Sequence, residues 1–565
     1  MSFLARLLGN PLFWCLSLVA ISLHYIWRNR SFYIISWKLP GPFSLPLIGN
    51  ALNLIMDGGI PNAISMMTNN METYGKHSRV IRIWACQELY VLVADASVAF
   101  QINKMPDKPD FYSFLGGLYI KGGLASDIDV DHWRWARKLM EPFFSLKNIK
   151  SWIQISHEES LHTAEYLQKY ASSGESFLPL KTLRLFGMHV VGRAFFGSNL
   201  QSFSPKEKET ALDNVEKMFE HFLHRVLVPI TKNLLIYSLI GLRRKENILM
   251  KQLVRDIDKI LEEKISRIKA GIDVSEDDYL TKLMREPELY MEVRQQAGTI
   301  MVGGIDTTST EIFSILVMLA LHPDVQNKLR KEIIDVLGDD VTQTPTYDNL
   351  MKLDYMERVL KEGMRMFPPV PVLAKKVATE TKISTDIGEY TIPAGTTVLV
   401  LIHTIQNNPD YFDLPHVYDP DRWLPDKVAQ RDPHCFLPFS SGPRRCMGGR
   451  FTMQEMRIFL ATMLRQFEIL PSDQCKTMRD VKFEMNGTTL TDGSRTSSGP
   501  RRCIGGKFVM QEMRIFLATM LRQFEILPSD QCKTMRDVKF EMNLTLKLKD
   551  NCQIRLRSRK PNLGI

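Results

Sequence analysis

Ten residues, Phe439-Ser440-Ser441-Gly442-Pro443-Arg444-Arg445-Cys446-Met447-Gly448, constrain this chain more than any other stretch. Glycine and proline make a loop, and the residues that follow read as a long helix. The loop presents one cysteine sulfur. A thiolate is a soft, electron-rich metal ligand, and it picks up a proton unless positive charge or hydrogen-bond donors stand nearby. Arg444 and Arg445 can supply the charge. Gly442 and Gly448 let bare N–H groups approach the sulfur, and the following helix aims its N-terminal dipole at it. Phe439 can shield one side from water. Alone, such a cysteine reads more readily as a structural thiol in a basic loop.

The 565 residues are 44% hydrophobic and 24% charged, enough for one large domain or two to three ordinary ones. The net charge of +9 is modest, and no basic run or aromatic-basic interleaving points to nucleic acid. A membrane surface or an acidic protein suits it better. The eight cysteines include no Cys-x-x-Cys, which argues against a disulfide framework and a structural zinc site.

Residues 11–27 form an apolar run close to the minimum for a membrane-spanning helix. No Ala-x-Ala-type cleavage site follows, so an uncleaved anchor over 1–37 is favoured over a signal peptide. Arg28, Arg30 and Lys38 behind the run place the bulk of the chain in the cytosol. Residues 38–50 are a stiff, proline-rich spacer. Residues 79–93 alternate like early strands. Residues 111–123, aromatic and glycine-rich, read either as a loop lining an apolar pocket or as a surface loop tucked on a core.

Trp133 and Arg137 are four apart and share one helix face, a clamp for a carboxylate or an ordinary solvated face. Residues 149–282 are mostly helical by pattern. An apolar helix over 295–321 contains Gly303-Gly304-Ile305-Asp306-Thr307-Thr308. Mid-helix glycines cost stability. They leave room for a bulky group or for a crossing helix, and Asp306 and Thr307 could pass protons to a buried site. In the helix over 353–366, Glu362 and Arg365 can pair. Phe367-Pro368-Pro369-Val370-Pro371 ends that helix, and Asp419-Pro420-Asp421-Arg422-Trp423 follows downstream.

In this order, the anchor, proline hinge, Trp-x-x-x-Arg, glycine-groove helix, Glu-x-x-Arg, Asp-Arg-Trp and Phe-x-x-Gly-x-Arg-x-Cys-x-Gly loop resemble the cytochromes P-450, the haem-thiolate monooxygenases. KLPGPFSLPLIGNAL, DHWRWARKLMEPFF and GPRRCMGGRFTMQEM look closest to insect members of family four, relatives of fatty-acid ω-hydroxylases. The resemblance implies a mainly α fold with small β-sheets (α+β) behind the N-terminal anchor, with the haem domain over 51–486. It implies haem b, with Cys446 as axial iron ligand and Phe439 beside it. Trp133, Arg137 and Arg444 would hold the propionates. Lys375 stands where a propionate-binding arginine often sits and keeps the charge without the fork. Thr307 would hydrogen-bond dioxygen and Asp306 would link it to solvent. Glu362, Arg365 and Arg422 would form a structural network. Some family-four members esterify haem through a glutamate where this chain has Gly303, so non-covalent haem is expected.

The implied partners are NADPH-cytochrome P-450 reductase and cytochrome b5, the endoplasmic reticulum membrane, dioxygen and a small apolar substrate. No flavin or nicotinamide motif is present, and Arg137, Lys138, Lys147, Arg444 and Arg445 offer a dock for an acidic reductase. Residues 111–118, 300–302 and 370–372 would line the pocket, whose apolar character suits a lipid-like substrate.

One feature is foreign to that pattern. Residues 440–486 recur as 497–543, differing only at Met447/Ile504, Arg450/Lys507 and Thr452/Val509. A polar linker, 487–496, separates the copies, and terminal strands are expected over 544–565. Two near-identical copies do not make a solenoid. Tandem alternative exons are the plain explanation, and an inactive or haem-deficient product is the rival to an active enzyme. An enzyme that isomerises or dehydrates without a reductase is a second rival. Cys446 keeps Pro438-Phe439 upstream, whereas Cys503 has Arg495-Thr496, so Cys446 is the expected ligand. The full chain is expected to be less stable than a form carrying a single copy.

Overall fold

The computed structural model describes residues 24, 27–28, 30–44, 49–50, 63–115, 122–272, 279–478, 481, 483–485, 488–490, 547–548 and 552–559. The apolar run over 11–27 lies outside these apart from His24 and Trp27. The second cysteine copy, with Cys503, lies outside them entirely.

Helices dominate, and their ends follow local chemistry. Helix α1 (Val130–Met140) starts where the Asp129 side chain accepts from the backbone N–H groups of Asp131 and His132. Helices α2 (Ile153–Ser173) and α3 (Leu180–Phe196) each end at a left-handed glycine. A capping box of Ser204 and Glu207 opens α4 (Pro205–Leu227). The short α5 (Leu234–Leu239) and the long α6 (Leu242–Lys269) follow. Pro287 begins α7 (Pro287–Leu321), eight residues earlier than the apolar pattern predicts. Then come α8 (Asp354–Met366) and α9 (Gly449–Gln466).

Helix α7 is long and apolar enough to cross a membrane, yet 83% of its most apolar window is buried inside the fold, as in a core helix. It packs along α3, and α9 packs against α2. Together with α8 they enclose the largest apolar core.

The strands are few. β1 (Val80–Ala85) and β2 (Glu88–Val93) form a hairpin. β3 (Val372–Lys376), then the hairpin of β4 (Thr381–Thr385) and β5 (Gly388–Ile392), precede β6 (Thr397–Leu401). One sheet has the order β1-β2-β6-β3, with β2 and β6 parallel. The proline-rich spacer lies against this sheet, where Pro40 accepts from the Arg82 N–H.

The C-terminal strands show how the chain handles its duplication. β7 (Phe467–Pro471) and β8 (Phe483–Met485) belong to the first copy. β9 (Thr488–Leu490) pairs with β8, so the start of the linker is strand rather than loose spacer. Its β-branched threonines suit a strand. Beyond the second copy, β10 (Lys547–Leu548) pairs with β8, and β11 (Ile554–Ser558) pairs with β7. The terminal strands therefore close onto the first copy.

Candidate functional site

The cysteine loop is shaped by backbone contacts. The Cys446 N–H donates to Phe439 O at 2.9 Å, and Arg445 N–H to Gly442 O at 3.1 Å. Gly442 has φ of +73°, and a Cβ there would lie 2.1 Å from Asn103 O, so no other residue fits. Phe439 lies against Gly449, where a Cβ would meet its ring at 3.1 Å.

Cys446 is exposed, yet burial is the largest influence on its thiol and pushes the pKa up. The sulfur is thus crowded by protein atoms and still reachable from outside. Hydrogen bonds from the Gly448 and Gly449 N–H groups and the charge of Arg137 act in the opposite direction. The charge that favours the thiolate is therefore Arg137, from α1, rather than the loop's own Arg444 and Arg445. Arg444 turns away because better acceptors lie elsewhere: Nε donates to Pro106 O at 2.8 Å and Nη2 to Asp127 O at 3.0 Å.

Arg444 lies 3.9 Å over the Trp133 ring, and Arg137 lies 5.8 Å from the same ring. Arg137 Nη1 also donates to Arg445 O at 3.0 Å. Lys375 on β3 donates to Met105 O at 2.9 Å. Burial, then the neighbouring Arg444, lowers its pKa to about 8. Lys108, absent from the sequence-derived set, joins these cations. It donates to Ala125 O and lies 4.0 Å from the Tyr112 ring. Burial, then Arg444 and Lys375, lower its pKa well below the usual lysine value. Arg444 Nη1 is buried with no hydrogen-bond partner among the described residues. Three crowded cations and an orphaned donor fit an anionic ligand.

Helix α7 carries the glycine pair. The two glycines split the roles foreseen for the pair. Gly303 faces open space, whereas a Cβ on Gly304 would meet Val191 of α3 at 2.8 Å. The first leaves a groove and the second makes a helix crossing. Thr307 lies one turn beyond Gly303 on that groove and donates to Gly303 O at 2.6 Å. Asp306 points elsewhere. It is buried and accepts from Arg184 of α3, from Nε at 3.0 Å and Nη2 at 2.6 Å. Ile300, Val302, Phe111, Tyr112, Phe439 and Met447 are partly buried and pack on the main core. Residues 116–118 of the foreseen pocket wall lie outside the described residues.

Glu362, Arg365 and Arg422 come together. Both Arg365 and Glu362 are fully buried, joined by two contacts of 2.9 Å. Arg422 Nε reaches Glu362 at 3.2 Å, and Trp423 Nε1 donates to it at 3.0 Å.

No three His, Cys, Asp or Glu side chains among the described residues gather around one point as metal ligands would. One reachable protein sulfur, open space at Gly303 and a cation cluster fit an iron carried in an anionic macrocycle.

Comparison with known proteins reaches the same class. The Cytochrome P450 family model matches residues 39–491 and 497–553, and the chain belongs to that family. It is 30% identical to cytochrome P450 4d2 of Drosophila melanogaster over 502 residues, covering 82% of this chain and 95% of the relative. It is 26% identical to cytochrome P450 4g1 of the same species (83% and 90% covered) and 28% identical to cytochrome P450 4d10 of Drosophila mettleri (78% and 88%). It thus resembles insect family four and is an oxidoreductase of the monooxygenase class.

Two residues of this neighbourhood escaped sequence reasoning. Lys108 sits between Pro106 and Pro109 in an irregular segment with no periodic signal. Arg184 did leave one: a lone arginine in an apolar stretch of α3, which burial obliges to find a partner.

Proposed function

We propose that this chain is a membrane-anchored monooxygenase of the endoplasmic reticulum, facing the cytosol. It inserts one oxygen atom of dioxygen into an apolar, lipid-like substrate, and the other leaves as water. Electrons come from NADPH through a flavoprotein reductase, with cytochrome b5 as a further donor. The observation that carries this reading is the crowded yet reachable Cys446 sulfur at the start of α9.

Non-covalent haem b supplies the oxygen-activating chemistry when bound. Cys446 would hold its iron through the thiolate sulfur. Trp133, Arg137, Arg444, Lys108 and Lys375 would hold its carboxylates, and Phe439 would shield the sulfur. Gly303 leaves the groove open and offers no side chain for an ester. Thr307 would offer its hydroxyl to dioxygen, and Asp306, held by Arg184, would supply protons from behind the groove. Lys138, Lys147, Arg445 and Arg450 are exposed and offer positive charge that suits an acidic reductase.

Two exposed apolar groups support a membrane face: Trp27, Ile34, Trp37 and Phe43, and Leu234, Leu235, Leu239 and Ile240 around α5. Both adjoin the β1–β2 hairpin. Arg82 lies 4.3 Å over Trp37, and Lys232 pairs with Glu88.

The test is a carbon-monoxide difference spectrum of the reduced full chain. A thiolate-type Soret band is expected, lost in Cys446→Ala and kept in Cys503→Ala. A band that survives Cys446→Ala and disappears in Cys503→Ala would move the ligand to the second copy. No thiolate band in the full chain would favour the alternative, an inactive or haem-deficient product of the duplicated segment. No band from single-copy chains either would remove the monooxygenase reading. NADPH-dependent turnover with a reductase separates it from a reductase-free isomerase.

A further inference from the structure

Helices α3, α4, α6 and α7 surround a cavity on the face of α7 next to the groove of Gly303 and Thr307. Three charged side chains line it, Arg184, Asp306 and Asp256, among apolar residues that include Ala211 and Val215. About 30 Å³ of it is open to the centres of water molecules, against the roughly 10–15 Å³ that one water needs. The three charged groups supply the polar partners a buried water requires. Asp306 lies at one wall, held by Arg184, whose Nη1 reaches Glu216 of α4 at 3.1 Å. Asp256 lies at another, half-buried on α6 and so within reach of solvent.

We propose that this cavity is a water-filled relay that carries protons from Asp256 to Asp306. The inference rests on the monooxygenase reading and adds its outer proton source. Each oxygenation consumes two protons and two electrons, the electrons arriving from the reductase, while one oxygen atom enters substrate and the other leaves as water. The proton leaves the Asp256 carboxyl for cavity water and passes to Asp306, and Asp256 is reprotonated from solvent. No covalent bond beyond O–H is made or broken along the relay. Asp256 acts through Asp306 and touches neither substrate nor cofactor.

The charged groups around Asp256 suit that task. Burial raises its carboxyl pKa to about 6; Lys259 of α6 opposes the rise and Glu207 of α4 adds to it. Lys259 is itself paired with Glu207 at 3.0 Å. Arg184 and Asp306 face the cavity from α3 and α7. An acid that titrates near neutral pH both gives and regains protons.

The experiment uses the haem-loaded full chain with reductase. Asp256→Asn is expected to lower kcat about tenfold, less than the roughly 10²–10⁴-fold that a direct general acid contributes. It should raise the share of NADPH electrons released as hydrogen peroxide and flatten the pH profile near 6. KM and the carbon-monoxide spectrum should not move, and Asp256→Glu should restore turnover. Ala211→Phe, which fills the cavity and keeps both acids, should reproduce the effect. Unchanged peroxide release and pH profile in both variants, with an intact thiolate band, would overturn the relay and leave the monooxygenase reading standing. Infrared titration of the Asp256 carboxylic acid needs no turnover. A carboxyl band vanishing near pH 6 and absent in Asp256→Asn supports the relay. A carboxyl that stays ionised from about pH 4.5 upward overturns it, whatever the haem spectrum shows.

Discussion

Two arginine clusters in this molecule obey opposite rules. Around Glu362, every buried charge meets an opposite charge or a carbonyl. Arg365 takes the carboxylate and the carbonyls of Gln406 and Pro415, and Arg422 and Trp423 complete the shell. Around Arg444, by contrast, Lys108 and Lys375 crowd a third cation, and Arg444 Nη1 lacks a partner among the described residues. A protein that only had to fold would not keep the second arrangement, because buried unpaired charge is costly. The first cluster belongs to the fold; the second fits an anion supplied from outside the chain.

The largest effect should come from breaking the first cluster. Glu362→Ala leaves Arg365 and Arg422 buried without their carboxylate, and a loss of about 3–5 kcal/mol is expected. Denaturant unfolding of the full chain would measure it. A loss no larger than that of a surface substitution would show that the carbonyl contacts suffice.

Glu311 sharpens the contrast, because it is a buried acid without the company Glu362 has. Both its oxygens lack a hydrogen-bond partner among the described residues. Burial raises its pKa well above the usual 4.5. The folded form therefore holds a proton that the unfolded chain gives up. The contribution of Glu311 to stability is greatest below about pH 4.5 and falls as pH rises toward the folded value, by up to about 1.4 kcal/mol per pH unit. Glu311→Gln should remove that slope. Melting temperatures compared at pH 5 and pH 8 would show it, and an unchanged pH difference would refute it.

The second cluster predicts a split between folding and binding. Lys108→Ala and Lys375→Ala should each weaken haem retention by about 1.5–3 kcal/mol, the worth of a charged hydrogen bond. The haem-free protein should melt no lower, since a repelling cation has gone. Haem transfer to apomyoglobin, paired with melts of the haem-free protein, reads both sides. Lowered stability with unchanged haem retention would place these lysines in the same class as Arg365.

The smallest expected effects come from the two glycines of α7. Gly304→Ala presses on Val191 and should cost about 1–3 kcal/mol. Gly303→Ala meets open space and should stabilise the haem-free protein by up to about 1 kcal/mol through helix propensity. Equal costs at both positions would erase the distinction between groove and crossing.

Features written in short spacing are legible in the amino-acid sequence by itself. Trp133 and Arg137 share a face because four residues make a helical turn, and Glu362 and Arg365 pair for the same reason. The cysteine loop announces itself in ten residues, and a long, mostly apolar run over 295–321 marks the larger part of α7. The fold class follows from many such periodic segments with few alternating ones.

Contacts between distant residues are not legible there, because no period connects them. Asp306 meets Arg184 across 122 positions, and Lys108 meets Lys375 and Arg444 only where β3 and the cysteine loop converge. The source of charge at Cys446 moved from its sequence neighbours to Arg137, because Arg444 found the carbonyls of Pro106 and Asp127. The duplication shows the same division. Two nearly equal copies are indistinguishable as local sequence, apart from what precedes them. Tertiary pairing of β11 with β7 and of β10 with β8 seats the first copy, because strand partners are chosen by what the surrounding fold brings alongside.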